Sequence, residues 1–121
     1  MKKRILTVDD SRVMREMLKV SLTEAGYEVI QAEDGIEGVE VAKESVPDAI
    51  VTDINMPRMD GFGLIEEVRD VQELKSVPIL VLTTEDGAEK KERARKAGAT
   101  GWIKKPFDDH KLKTALQRVV A

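Results

Sequence analysis

The 121-residue chain contains no cysteine. That excludes disulfide staples and thiolate metal sites. Aromatic side chains are nearly absent too. Tyr27, Phe62, Trp102 and Phe107 are 3% of the residues, too few for the stacking platforms that hold single-stranded nucleic acid. There is no surplus of positive charge: the formal net charge is −3, which leaves no electrostatic footprint for a nucleic-acid partner. No apolar run approaches the length of a membrane span, and Met1-Lys2-Lys3-Arg4 leads only into a short apolar stretch. Neither a membrane helix nor a signal peptide is expected, and the expected compartment is the cytoplasm. The single histidine, His110, follows Asp108-Asp109 and is expected at the surface.

What is present reads as one folded domain spanning 1–121. Hydrophobic residues are 41% and charged residues 36%, a balance that suits a globular core rather than disorder. No linker, repeat or low-complexity segment interrupts it, and no room for a second domain is expected.

Five short apolar runs predict strands, at 5–8, 28–30, 49–52, 79–82 and 101–103. Three of them are nearly continuous in Ile, Leu and Val, as in parallel strands buried on both faces. Helical stripes separate them. Val13, Met14, Met17, Leu18, Leu22 and Ala25 form the first, closed by Gly26. Ile36, Val39 and Ala42 form the second, and Leu64, Ile65, Val68 and Val71 the third. The fourth, 88–97, is mostly charged and ends at Gly98. Leu112, Ala115, Leu116 and Val119 form the last, capped by Asp108. Asp34-Gly35 and Asp60-Gly61 read as turns that open helices. Met14, Met17, Met56 and Met59 are expected to pack in core and loops. The βαβαβαβαβα order predicts an α/β fold with a doubly wound parallel sheet.

In such sheets ligands bind outside the carboxyl ends of the strands. There the sequence places Asp9 and Asp10 after the first strand, Asp53 after the third, Thr83 and Thr84 after the fourth, and Lys105 after the fifth. Each has an ordinary reading: Asp10 as a helix cap, Thr83 as a strand residue, Lys105 as a solvated charge. Together they conflict unless a cation intervenes, because two like charges about 4 Å apart cost about 4 kcal/mol at an effective dielectric of about 20. Lys105 supplies one charge, and Mg²⁺ suits a site of carboxylates, phosphate and water. A carboxylate beside Mg²⁺ is a nucleophile toward phosphorus. Asp53, ending the central strand, is the expected phosphoacceptor. Asp10, with Asp9 through water, is expected to hold the metal, while Thr83 and Lys105 stabilise the transferring oxygens.

These residues closely resemble the receiver domain of two-component response regulators, and within that family the single-domain chemotaxis regulators. The motifs are Val8-Asp9-Asp10-Ser11, Ala32-Glu33-Asp34-Gly35, Asp53-Ile54-Asn55-Met56-Pro57 with Met59-Asp60-Gly61, Thr83, Ala97-Gly98-Ala99 and Lys105-Pro106-Phe107. They cover nearly the whole chain in order. The resemblance implies a flavodoxin-like sheet in strand order 2-1-3-4-5 with five helices. It implies Mg²⁺ on Asp9, Asp10, Asp53 and the Asn55 backbone carbonyl, and a cis peptide before Pro106. It places Trp102 at the aromatic switch position, and Thr84 and Glu85 where access to the phosphoryl group is modulated. A histidine kinase phosphohistidine domain would be the donor. The protein would be a monomer that catalyses only its own phosphorylation and dephosphorylation. A downstream protein, either a flagellar motor switch or another target, would read the face of the fourth helix, fifth strand and fifth helix. Phosphorylation would draw Thr83 toward the acceptor and let Trp102 turn beneath the fourth helix.

Two positions depart from the family pattern. Trp102 stands where Tyr is usual and lacks its hydroxyl, and Thr84 stands where a smaller residue is usual. Alternatives remain at this level: a phosphorelay intermediate or phosphate sink, or a pseudo-receiver that binds partners without phosphorylation. Two rivals are disfavoured. A haloacid-dehalogenase-type phosphatase would carry a second Asp where Asn55 stands, together with a cap. A flavin carrier would need a hydroxyl-rich phosphate loop where the acids lie.

Overall fold

The computed structural model describes residues 2–120. The strands are β1 Arg4–Val8, β2 Glu28–Ala32, β3 Ala49–Thr52, β4 Ile79–Thr83 and β5 Gly101–Lys104; the helices are α1 Arg12–Glu24, α2 Gly35–Ser45, α3 Gly61–Arg69, α4 Ala88–Ala97 and α5 Asp109–Val119. All strand pairs are parallel, and the sheet order is β2-β1-β3-β4-β5, as expected.

The continuous apolar runs follow from a sheet covered on both faces. Successive side chains point to opposite sides of a strand. Ile5, Ala49, Val51, Leu80 and Leu82 pack with Met14, Leu18 and Leu22 of α1 and Leu112 and Leu116 of α5. Leu6, Val8, Ile50, Ile79 and Val81 pack with Val39 of α2, Leu64 and Ile65 of α3 and Ala94 of α4. Four helices start on a side-chain cap. Ser11, Asp34, Asp60 and Asp108 accept from the N–H groups of Met14, Glu37, Gly63 and Lys111, each worth about 1 kcal/mol.

Two expectations about the stripes need correction. Val13 and Met17 lie outside the core, 70% and 45% exposed. A stripe that includes i, i+1 and i+4 neighbours is wider than the contact it serves, and α1 packs on its Met14–Leu18–Leu22 side. Val71 does not extend α3. It follows the helix and leads into a 3₁₀ turn, Gln72–Leu74, too short to have a readable period.

Charged α4 buries a single residue, Ala94, so its position depends on polar contacts. The Arg69 guanidinium donates from Nε and Nη2 to Gly98 O at 3.0 and 2.8 Å, and from Nη1 to Leu74 O at 2.9 Å. Arg93 lies over the Phe62 ring, 4.0 Å from its centroid. Gly98 ends the helix at φ 120°, where a Cβ would stand 2.7 Å from the Arg69 side chain. That position requires glycine on both counts.

The ladder runs one residue past the strands and aligns their carboxyl ends. The Asp9 N–H donates to Ala32 O at 3.1 Å, Asp53 N–H to Val8 O at 2.9 Å, and Lys105 N–H to Thr83 O at 2.7 Å.

Candidate functional site

That alignment brings Asp9, Asp10 and Asp53 together, with one carboxylate oxygen of each lying within 4.8 Å of the others. Asp9 is buried and Asp53 nearly so, their side chains 2% and 12% exposed, while Asp10 is open to solvent. Lys105 bridges the two inner acids, with Nζ 2.9 Å from Asp53 Oδ2 and 3.1 Å from Asp9 Oδ2. The Lys105–Pro106 peptide is cis, as expected.

The remaining oxygens of the inner acids are also used. Asp53 Oδ1 accepts the Ile54 N–H at 2.6 Å, and Asp9 Oδ1 accepts the Ser11 N–H at 2.9 Å. Because Ser11 caps α1, Asp10 is released from capping. Burial pushes the Asp9 carboxyl above the ordinary carboxylate range, against the opposing pull of the Ser11 N–H and Lys105. Burial also works against the Lys105 ammonium, but Asp53 and Asp9 together hold its pKa above the usual lysine value. Three carboxylates so placed, with Lys105 touching only two of them, form a hard-oxygen donor set that fits a divalent cation.

The backbone packs tightly beneath the acceptor. A Cβ on Gly61 would lie 2.3 Å from Asp53 O, so only glycine lets α3 begin there. Thr83 is fully buried, and its Oγ1 accepts the Glu85 N–H at 3.2 Å. Thr84 is exposed at the rim. Glu85 pairs with Lys90, and that pairing, helped by the Asn55 amide, holds its carboxyl below the usual range. Trp102 is half-buried against the core cluster that contains Ala94, and its indole N–H is buried without a hydrogen-bond partner among the described residues. His110 is exposed, as expected.

Sequence reasoning missed two supports of the site. Arg15 donates from Nη1 to Asp9 O at 2.8 Å. Arg58, in the loop after Asp53, pairs with Asp34. A lone arginine in a helix or loop carries no periodic signal, and each partner here is fixed only by the tertiary fold.

Comparison with known proteins agrees with this geometry. Residues 5–117 match the family model of the response regulator receiver domain. The chain is 40% identical to chemotaxis protein CheY1 of Helicobacter pylori (strain ATCC 700392 / 26695) over 97% of its own length and 96% of that protein's. Vibrio cholerae chemotaxis protein CheY4 superposes with a TM-score of 0.94 at 44% identity, covering 98% of this chain and 99% of that one. The receiver domain of sensor histidine kinase PA1611 from Pseudomonas aeruginosa PAO1, solved with a magnesium ion coordinated in its active site cleft, gives a TM-score of 0.92 at 32% identity, covering 99% and 98%.

Proposed function

The chain belongs to the response regulator receiver domain family, and on that premise we propose that it is a signalling switch phosphorylated on Asp53 by a histidine kinase, with Mg²⁺ bound beside it. The observation that carries this reading is the convergence of Asp9, Asp10 and Asp53 around Lys105. The proposed metal ligands are Asp9, Asp10, Asp53 and the Asn55 carbonyl. The bound ion would neutralise charge on the phosphoryl oxygens.

The chain's own residues then have defined tasks. A carboxylate oxygen of Asp53 attacks phosphorus as the P–N bond of the donor phosphohistidine breaks, and the imidazole nitrogen leaves with the electron pair. Lys105, already on Asp53 Oδ2, is placed to follow the added negative charge. Thr83 would donate its hydroxyl to a phosphoryl oxygen, and because the same oxygen accepts the Glu85 N–H, a shift of Thr83 links the site to the β4–α4 connection. Thr84 and Glu85, at the rim, would modulate the approach of water and so the lifetime of the acyl phosphate. In this reading the protein catalyses only its own phosphorylation and hydrolysis, in the cytoplasm.

A protein donor needs a surface beside the opening. Val13, Met17 and Val20 stand exposed along α1, which begins just after Asp10. The output face is proposed as α4, β5 and α5, where Trp102 lines a groove of about 210 Å³ with Ala94, Ala99 and Gly101. The resemblance to CheY1 and CheY4 favours a chemotaxis target, with a flagellar motor switch as the partner.

The test is incubation with acetyl phosphate, with and without Mg²⁺, followed by intact mass measurement. One phosphoryl adduct that requires Mg²⁺ and disappears in Asp53→Asn is expected. An unlabelled wild-type protein that also fails to bind beryllium fluoride would reduce the chain to a phosphorylation-independent binding module.

A further inference from the structure

We propose that Arg58 is a positioning residue for the loop that carries Asn55, acting through its ion pair with Asp34; this rests on the site reading above. Residues 53–61 run from the acceptor to the start of α3. Asn55, Pro57, Arg58 and Asp60 are exposed, while Ile54 is buried and Met56 and Met59 pack against the core, so burial anchors the stretch on either side of Arg58 but does not fix Arg58 itself. Its middle is a three-residue turn in which the Met59 N–H donates to Pro57 O at 2.7 Å while Arg58 sits at φ 67°. A turn of this kind with a side chain at positive φ is strained and persists only where neighbouring contacts hold it.

Those contacts come from the start of α2. The guanidinium donates from Nε to Asp34 Oδ2 at 2.8 Å and from Nη2 to Asp34 Oδ1 at 3.2 Å, a two-point fork that fixes direction as well as distance. The Gly35 N–H donates to Met59 O at 3.1 Å. Asp34 is itself anchored. Its side chain is 6% exposed and caps α2 through the Glu37 N–H at 2.9 Å. A fixed carboxylate therefore holds the turn, and the turn sets the backbone path three residues after Asn55. Arg58 touches neither the acceptor nor the acid cluster, so its influence passes through the main chain.

The experiment compares Arg58→Ala, Arg58→Lys and Arg58→Gly with wild type by Mg²⁺ titration calorimetry, urea unfolding, and amide exchange at Met59 in metal-free protein. Arg58→Gly separates the two roles, because glycine relieves the positive φ while losing the fork. Arg58→Ala and Arg58→Gly are expected to weaken Mg²⁺ binding by about tenfold and to speed exchange at Met59. Arg58→Gly should keep an unfolding midpoint at or above that of Arg58→Ala, and Arg58→Lys should recover part of the affinity. Wild-type Mg²⁺ affinity in both Arg58→Ala and Arg58→Gly would overturn the proposal. So would an affinity loss in Arg58→Ala that Arg58→Gly restores along with stability. Wild-type protein that binds no Mg²⁺ would overturn the site reading itself, and this inference with it, before any substitution is compared.

Discussion

Lys105 Nζ donates to Asp53 Oδ2 over 2.9 Å, joining positions 52 residues apart in the chain. This ammonium touches two of the three clustered acids, so it partly replaces the cation they would otherwise attract. Lys105→Met removes it without changing the shape greatly. At an effective dielectric of about 20, removing a like charge some 5 Å from a bound divalent cation relieves repulsion of roughly 7 kcal/mol before salt screening. Mg²⁺ binding should therefore tighten by about tenfold or more. Labelling by acetyl phosphate should slow by roughly 10²-fold, because a donor to the developing charge is gone. Calorimetry and timed mass measurements check the two effects; their moving in the same direction would contradict the placement of Lys105.

Val46 closes α2 at φ 42°, ψ 71°, with its side chain 47% exposed. A β-branched residue in the left-handed region is strained by about 1–2 kcal/mol, and the following Pro47 restricts it further. Its exposure means that little burial is lost on replacement. Val46→Gly should stabilise the protein by about 0.5–1 kcal/mol after the unfolded-state entropy of glycine is counted. The urea midpoint should rise with an unchanged slope.

Arg69 satisfies the carbonyls of Gly98 and Leu74 from a half-buried position at the end of α3. Arg69→Ala leaves them short of a charged donor and should destabilise the protein by about 2 kcal/mol. The loss should fall unevenly: amide exchange should accelerate most along α4, which buries only Ala94. Uniform acceleration over the whole sheet would mean that Arg69 supports the fold generally rather than α4.

Asp86 accepts the Gly87 N–H at 2.8 Å and pairs with Lys104 at 3.0 Å. The Gly87 N–H foremost, then Lys104, hold its carboxyl down to about 2. A carboxylate whose pKa is lower folded than unfolded contributes stability that is complete above the unfolded value, near 4, and is lost as pH falls through about 2. The Asp86 carboxyl resonance should titrate near 2 in wild type. In Lys104→Met it should move upward yet stay below the ordinary value, because the Gly87 N–H remains.

The parallel sheet was legible because its strands are buried on both faces and so read as continuous apolar runs. The site was legible because topology puts strand ends together: Asp9, Asp53 and Lys105 needed only their positions after β1, β3 and β5. Even the end of α4 could be read, from Gly98. What stayed hidden depends on tertiary geometry. Arg58 and Asp34 are 24 residues apart and Arg69 and Gly98 are 29 apart, and nothing local links either pair. Val13 and Met17 are apolar at helical spacing, and only the packing direction of α1 shows that they face outward.

Trp102 lies between what was legible and what was not, because its position at the switch was expected but the state of its indole was not. The ring packs against the core cluster that contains Ala94, and Nε1 is buried with no acceptor among the described residues. An unpaired buried N–H costs about 1–3 kcal/mol, while the smaller ring of phenylalanine gives up a comparable amount of packing. Trp102→Phe should therefore leave stability within about 1 kcal/mol of wild type, followed by circular dichroism in urea because the fluorophore is gone. A loss above about 3 kcal/mol would show that packing outweighs the orphaned donor. Near-neutrality would mean that the cost of the unpaired indole N–H offsets the packing of the ring at α4.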